Sequence, residues 1–132
     1  MSADLAYDYA VIRVVPRVDR EEFLNVGVIV SCTDAGFLQA CIELDVPRVQ
    51  AFAPDLDVDG LRESLSTFPR VCEGGTDAGP IGQLPARQRF LWLVAPRSTV
   101  IQVSPVHTGR TSDPHATLQR LMDRVVRLRH AT

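Results

Sequence analysis

Lysine is absent; all 14 strongly basic residues are arginine. Apart from three histidines, cationic chemistry is therefore left to planar guanidiniums that bind anions in a bidentate way. The net charge is only -2, which argues against a dedicated nucleic-acid binder, whose footprint is strongly basic. Cysteine is scarce. Cys32, Cys41 and Cys72 are odd in number and widely spaced. No C-x-x-C pair exists, which excludes zinc-ribbon and thioredoxin-like readings. Their apolar neighbours fit buried free thiols in a reducing compartment. No uncharged apolar run approaches the length of a membrane span. No positively charged segment opens the chain, and Asp4 and Asp8 interrupt it early, so no secretory signal is expected. A cytoplasmic protein without membrane contact is the expectation. Asparagine and tryptophan occur once each, as Asn25 and Trp92.

What is present fits one domain over residues 1–132, long enough to bury a core without staples. Residues 7–15 alternate as a strand: Ala10, Ile12 and Val14 form its buried face, while Tyr7, Tyr9, Val11 and Arg13 form the other. Pro16 ends it. A second strand spans 23–32, with Gly27 marking a bulge or a close backbone approach. The turn Thr33–Gly36 joins it to a third strand over 37–44, giving a hairpin. Asp45 and Pro47 open a short helix to Phe52. Val58, Leu61, Leu65, Phe68 and Cys72 recur at helical spacing, with Asp57 or Asp59 as cap and Pro69 ending or kinking the last turn. Residues 73–85, with four glycines and two prolines, read as a mobile loop. A helix over 86–95 and a fourth strand over 99–103 follow, the latter ended by Pro105. Asp113-Pro114 starts a final helix striped by Leu118, Leu121, Met122, Val125 and Leu128. Strands grouped ahead of helices indicate an α+β fold, a mostly antiparallel sheet of about four strands with helices packed on one face.

Several patterns invite a chemical reading. Asp55-Leu-Asp-Val-Asp-Gly60 resembles the opening of a calcium loop, but the twelfth position is Ser66 rather than Glu, and helix capping accounts for the aspartates. Gly74 through Gly82 lacks the G-K-[ST] ending of a phosphate cradle. No metal or cofactor is expected. His107 and His115 lie near Ser98, Ser104 and Thr108, yet no nucleophile elbow accompanies them, and a structural hydrogen bond at a strand end is the simpler role for His107. Arg97-Ser98-Thr99 follows a helix end, where a guanidinium and two hydroxyls suit a phosphate or carboxylate. Arg97 could equally cap that helix. The arginines of the last helix, interrupted by Asp123, read as a solvated face.

Three blocks carry a resemblance: Tyr7-x-Tyr9-x-Val11-Ile12-Arg13-x-Val15-Pro16; Arg20-x-Glu22-Phe23-x-Asn25-Val26-Gly27-Val28; and Arg89 through Gly109, with Trp92-Leu93-x-Ala95-Pro96-Arg97-Ser98-Thr99 at its centre. They resemble the bacterial domain-of-unknown-function family numbered 3037, over nearly the whole chain. Glu21 departs from the pattern, where the family is expected to favour glycine. The family carries no assigned activity, so the resemblance implies no reaction. It does imply a context, since members are often encoded beside HipA-like serine/threonine kinases.

These readings converge on a non-enzymatic accessory module with a HipA-like kinase as partner. Its expected working face is Arg13, Glu22, Asn25, Trp92, Arg97, Ser98, Gln102 and His107. The alternative is an enzyme or binder for a phosphate-containing ligand or nucleic acid, with Arg97 holding the anion and His107 as acid or base. That alternative requires both residues in one pocket. A homodimer could form through an exposed strand edge.

Overall fold

The central strand of the sheet is β1 (Leu5–Val14), and both its edges are paired. The computed structural model describes residues 4–97 and 99–128. On one side of β1 lies β2 (Leu24–Cys32), followed by β3 (Phe37–Ile42). On the other side, β4 (Ile101–Val103) pairs with the C-terminal half of β1 and β5 (His107–Thr111) with its N-terminal half. Every pairing among the described residues is antiparallel. The helices are α1 (Val46–Phe52), α2 (Val58–Leu65), α3 (Thr67–Glu73), α4 (Ala86–Val94) and α5 (Pro114–Val125). The α+β class, the antiparallel sheet and the β2–β3 hairpin are as the sequence implies.

The sheet has five strands rather than four, because a register shift around Pro105 divides what would otherwise be one long strand. Between the pairs Ile12–Val103 and Tyr9–His107 the chain holds one residue more than β1 does, so the register shifts at Ser104-Pro105-Val106. Ser104 bridges the gap: its N–H donates to the Val11 carbonyl (2.8 Å), and its hydroxyl accepts from the Val11 N–H (2.8 Å) and donates to the Pro105 carbonyl. Beyond the break the chain resumes as β5, with His107 opposite Tyr9.

Helices cover both faces of the sheet, not one. Ala10, Ile12, Val14 and Ile29 pack with Leu61, Leu65, Phe68, Phe90 and Leu93 from α2, α3 and α4. On the opposite face, Tyr7, Val28, Val30 and Cys32 pack with Leu118, Leu121 and Met122 of α5. The tyrosines and Arg13 make that face of β1 look solvent-facing in the sequence, but the stripe of α5 needs an apolar surface and finds it there. Strand β2 is consequently buried on both faces from Val26 onward.

Gly27 sits at a bulge. Ile12 pairs with Gly27 but Arg13 pairs with Asn25, so Val26 is the extra residue. The bulge switches the side-chain alternation of β2, placing Leu24, Val26 and Ile29 against one helix layer and Val28 and Val30 against the other. It is also a close approach: a Cβ on Gly27 would lie 2.6 Å from the Cys41 carbonyl oxygen and 2.7 Å from Ile42 Cδ1.

Caps fall where the sequence places them. Asp45, Asp57 and Asp113 each accept a backbone N–H at the start of α1, α2 and α5. The long stripe 58–72 is broken at Ser66, a turn before Pro69. Proline cannot bond to the Leu65 carbonyl and its ring crowds it, so the helix restarts there as α3. Residues 73–85 are organised, contrary to the expectation of a mobile loop. Two 3-10 turns, Thr76–Ala78 and Pro80–Gln83, are joined by the Gly75 N–H to the Gly82 carbonyl (3.0 Å). Arg89 holds them, donating to the Val71 (2.7 Å), Cys72 (2.6 Å) and Leu84 (2.9 Å) carbonyls. At the far end, Arg127 ties α5 to Glu43 (2.6 Å) just past β3.

Two backbone positions generate predictions. Among the described residues Glu21 is the only non-glycine with positive φ, 57°, a conformation that costs an L-residue about 1 kcal/mol or more and glycine little. Glu21→Gly is expected to leave stability unchanged or raise it by up to about 1 kcal/mol; urea unfolding measures this, and a clear loss contradicts it. Gly27→Ala is expected to destabilise by about 1–3 kcal/mol in the same assay, because a backbone carbonyl must move to admit the methyl.

Candidate partner-binding site

The residues singled out from the sequence fall into separate groups. The first is a polar row across three strands. Asn25 of β2, Arg13 of β1 and Gln102 of β4 are register partners, so their side chains share the sheet face that α5 covers. The Asn25 amide donates to the Val125 carbonyl at the end of α5 (3.0 Å). This fixes the helix terminus where an intrahelical partner runs out. The Arg13 guanidinium stacks 4.0 Å from the centroid of Phe23, which is 43% exposed and so caps the cation on its outer side. Partial burial lowers the Arg13 pKa. Gln102 donates to the Thr99 carbonyl (3.0 Å). Glu22 is not part of this row; it pairs with Arg20 on the surface.

The second group lines a cleft of about 760 Å³ on the other side of the sheet, among α2, α3, α4 and β4. Its floor is apolar, formed by Leu56, Leu61, Phe68 and Ile101. Its rim carries Trp92, Arg97, Asp55 and Asp57. Trp92 is 39% exposed although it sits in a helix whose Phe90 and Leu93 are buried. Arg97 donates to the Trp92 carbonyl (3.1 Å) and lies 5.0 Å from the Trp92 ring centroid and 5.8 Å from that of Phe68. It therefore caps α4, the structural role open to it in the sequence. Among the described residues no carboxylate pairs with it. A smaller cleft of about 340 Å³ adjoins, sharing Asp55 and Leu56 and reaching Glu22. Ser98 lies outside the described residues.

His107 stands apart. Its ring stacks on Tyr9 at 5.1 Å between centroids, on the face that α5 covers. Arg97 and Phe68 lie on the opposite face, so Arg97 and His107 do not share a pocket. Among the described residues His107 does not make the strand-end hydrogen bond foreseen for it; its ring meets that of Tyr9. Burial works against thiolate formation at two of the three cysteines. Burial pushes Cys72 up to about 12, opposed only by the nearby Arg89 charge, and burial likewise raises Cys41. Among the described residues, no cluster of three or more His, Cys, Asp or Glu could hold a metal, and no helix is long and apolar enough to cross a membrane.

The family model described as "Protein of unknown function (DUF3037)" matches residues 9–126. The chain belongs to the DUF3037 family. No curated protein and no solved structure matches it. The match runs from Tyr9 inside β1 to just past the end of α5, so the residues of both the polar row and the cleft lie within it.

Four residues of this DUF3037 chain were not legible in their roles at the site. Phe23 reads as the first residue of a strand but forms the exposed cover of Arg13. Asp55 and Asp57 read only as caps, yet they also set the charge of the cleft rim. Ile101 reads as strand and is also cleft floor. The one available signal was the interruption at Pro96, which turns the chain from α4 to β4 and leaves a gap beside α2.

The Cys72 shift has a consequence for stability. An unfolded thiol ionises near pH 9 and the folded one near pH 12. Between these values the folded chain retains a proton that the unfolded chain has lost. Stability is thus full below about pH 9 and falls as pH rises toward about 12. Urea midpoints should drop between pH 8 and pH 10.5 in the native protein, with a shallower drop in Cys72→Ala.

Proposed function

We propose that this protein is a non-enzymatic interaction module whose contact surface centres on Trp92 and Arg97. The observation that supports it is the cleft itself: an open, apolar floor under an exposed tryptophan and an arginine without an acidic partner among the described residues. Tryptophan and arginine are the residue types that carry most binding energy at protein interfaces. An acid–base reading is disfavoured, since Arg97 and His107 lie on opposite faces of the sheet. A phosphate or nucleic-acid reading of Arg97 alone is disfavoured by Asp55 and Asp57 on the same rim.

The partner we propose is a HipA-like serine/threonine kinase in the bacterial cytoplasm, on the gene neighbourhood that the family resemblance implies. The module binds the kinase and alters its activity, and contributes no chemistry of its own. Co-purification with the kinase encoded beside it is the direct test. Trp92→Ala and Arg97→Glu are each expected to weaken the complex by about 2 kcal/mol, roughly 30-fold, while Arg120→Ala on the far side of α5 does not. Absence of any complex, together with unchanged kinase activity, overturns the proposal.

A further inference from the structure

We propose that the cleft takes an extended peptide segment of a partner, added as a strand to the outer edge of β4. This rests on the cleft being the partner-facing surface. In an antiparallel ladder the main-chain groups of successive residues point alternately to the two neighbours. The Val15 N–H donates to the Val100 carbonyl (2.6 Å), and the Ser104 N–H donates to the Val11 carbonyl (2.8 Å). Val100, Gln102 and Ser104 therefore bond inward to β1. Ile101 and Val103, between them, present their main-chain groups outward. Among the described residues no strand pairs with that edge. The Ile101 carbonyl accepts the Thr99 hydroxyl (2.7 Å). That leaves the Ile101 N–H and both main-chain groups of Val103 as the outward-facing set.

An extended backbone satisfies such groups, whereas a helix has spent its own. Side chains of an added strand alternate between the faces of the sheet. Those on the helical face enter the cleft over Leu61, Phe68 and Ile101, beside Trp92. Those on the other face emerge next to Gln102. The rim carries both signs of charge, Arg97 from one element and Asp55 and Asp57 from another. The fitting ligand is thus a short extended segment with a large apolar residue in the cleft, an acidic residue toward Arg97 and a basic one toward the aspartates. On β5 the residues His107, Thr108 and Arg110 are exposed, and neither cleft described above reaches them.

Random heptapeptides displayed on phage, selected against the full-length chain, supply the probe. A selected sequence is then synthesised plain and with N-methyl groups at successive peptide nitrogens. The plain peptide is expected to slow amide exchange at Ile101 and Val103. N-methylation at the nitrogens facing β4 weakens binding roughly tenfold, and methylation at the intervening ones does not. Val103→Pro removes one outward donor while breaking no β1–β4 hydrogen bond, and weakens binding; Val103→Ala retains it. Should Val103→Pro fail to fold, the methylation series still decides.

Selection of no peptide, binding with Val103 exchange unchanged, or indifference to N-methylation each overturns strand addition. So does a dimer in gel filtration with Val103 already protected, which makes a second copy the occupant. If the kinase complex forms and is sensitive to Trp92→Ala while strand addition fails, the interaction reading stands and only the mode of binding falls. If neither kinase nor peptide binds, both fall.

Discussion

Everything in this fold depends on β1 being satisfied on four sides. Its two edges carry β2 and the β4–β5 pair, and its two faces carry separate helix layers. A strand so enclosed cannot leave a main-chain group unpaired without losing most of a buried hydrogen bond. The weak point is the extra residue around Pro105, where the register against β1 shifts. Ser104 answers it with a hydroxyl that takes over acceptance from the Val11 N–H. The hydroxyl of a buried serine thereby does the work of a missing backbone partner, and the chain reaches β5 without disturbing the sheet.

The Gly27 bulge is the counterpart on the other edge. It inserts one residue, reverses the alternation of β2, and lets a strand that is apolar almost throughout distribute its side chains between two cores. The two interruptions differ in chemistry, one steric and one hydrogen-bonding. Together they explain why two helix layers can share one five-stranded sheet. They also position the proposed contact surface: the Pro96 turn after α4, the free side of β4 and the start of α2 meet at one cleft.

Much of the scaffold was readable because its signals are local. Asp45, Asp57 and Asp113 cap helices by bonding three residues ahead, and Gly27 announces its bulge by being the one residue in β2 without a Cβ. The unreadable parts depend on distant partners. Arg89 looks solvent-facing on its own helix, yet it reaches α3 and orders the 73–85 segment. Tyr7 and Arg13 make one face of β1 look wet, and only the arrival of α5 shows that face to be buried. At the site, Arg97 and Trp92 were visible as residue types, but their shared cleft was not, since its far wall comes from α2. Pairing Arg97 with His107 failed for a simple reason: closeness in sequence says nothing about which face of a sheet each residue reaches.

The interruption at Pro105 also shapes how molecules of this chain meet one another at high concentration. An uninterrupted rim from residue 101 to 111 would be a long, regular template on which further copies could stack indefinitely. Split in two and displaced by one residue between Val11 and Tyr9, the rim offers only short stretches in different registers. A short guest can lie along one of them; a growing fibre has no continuous surface to follow.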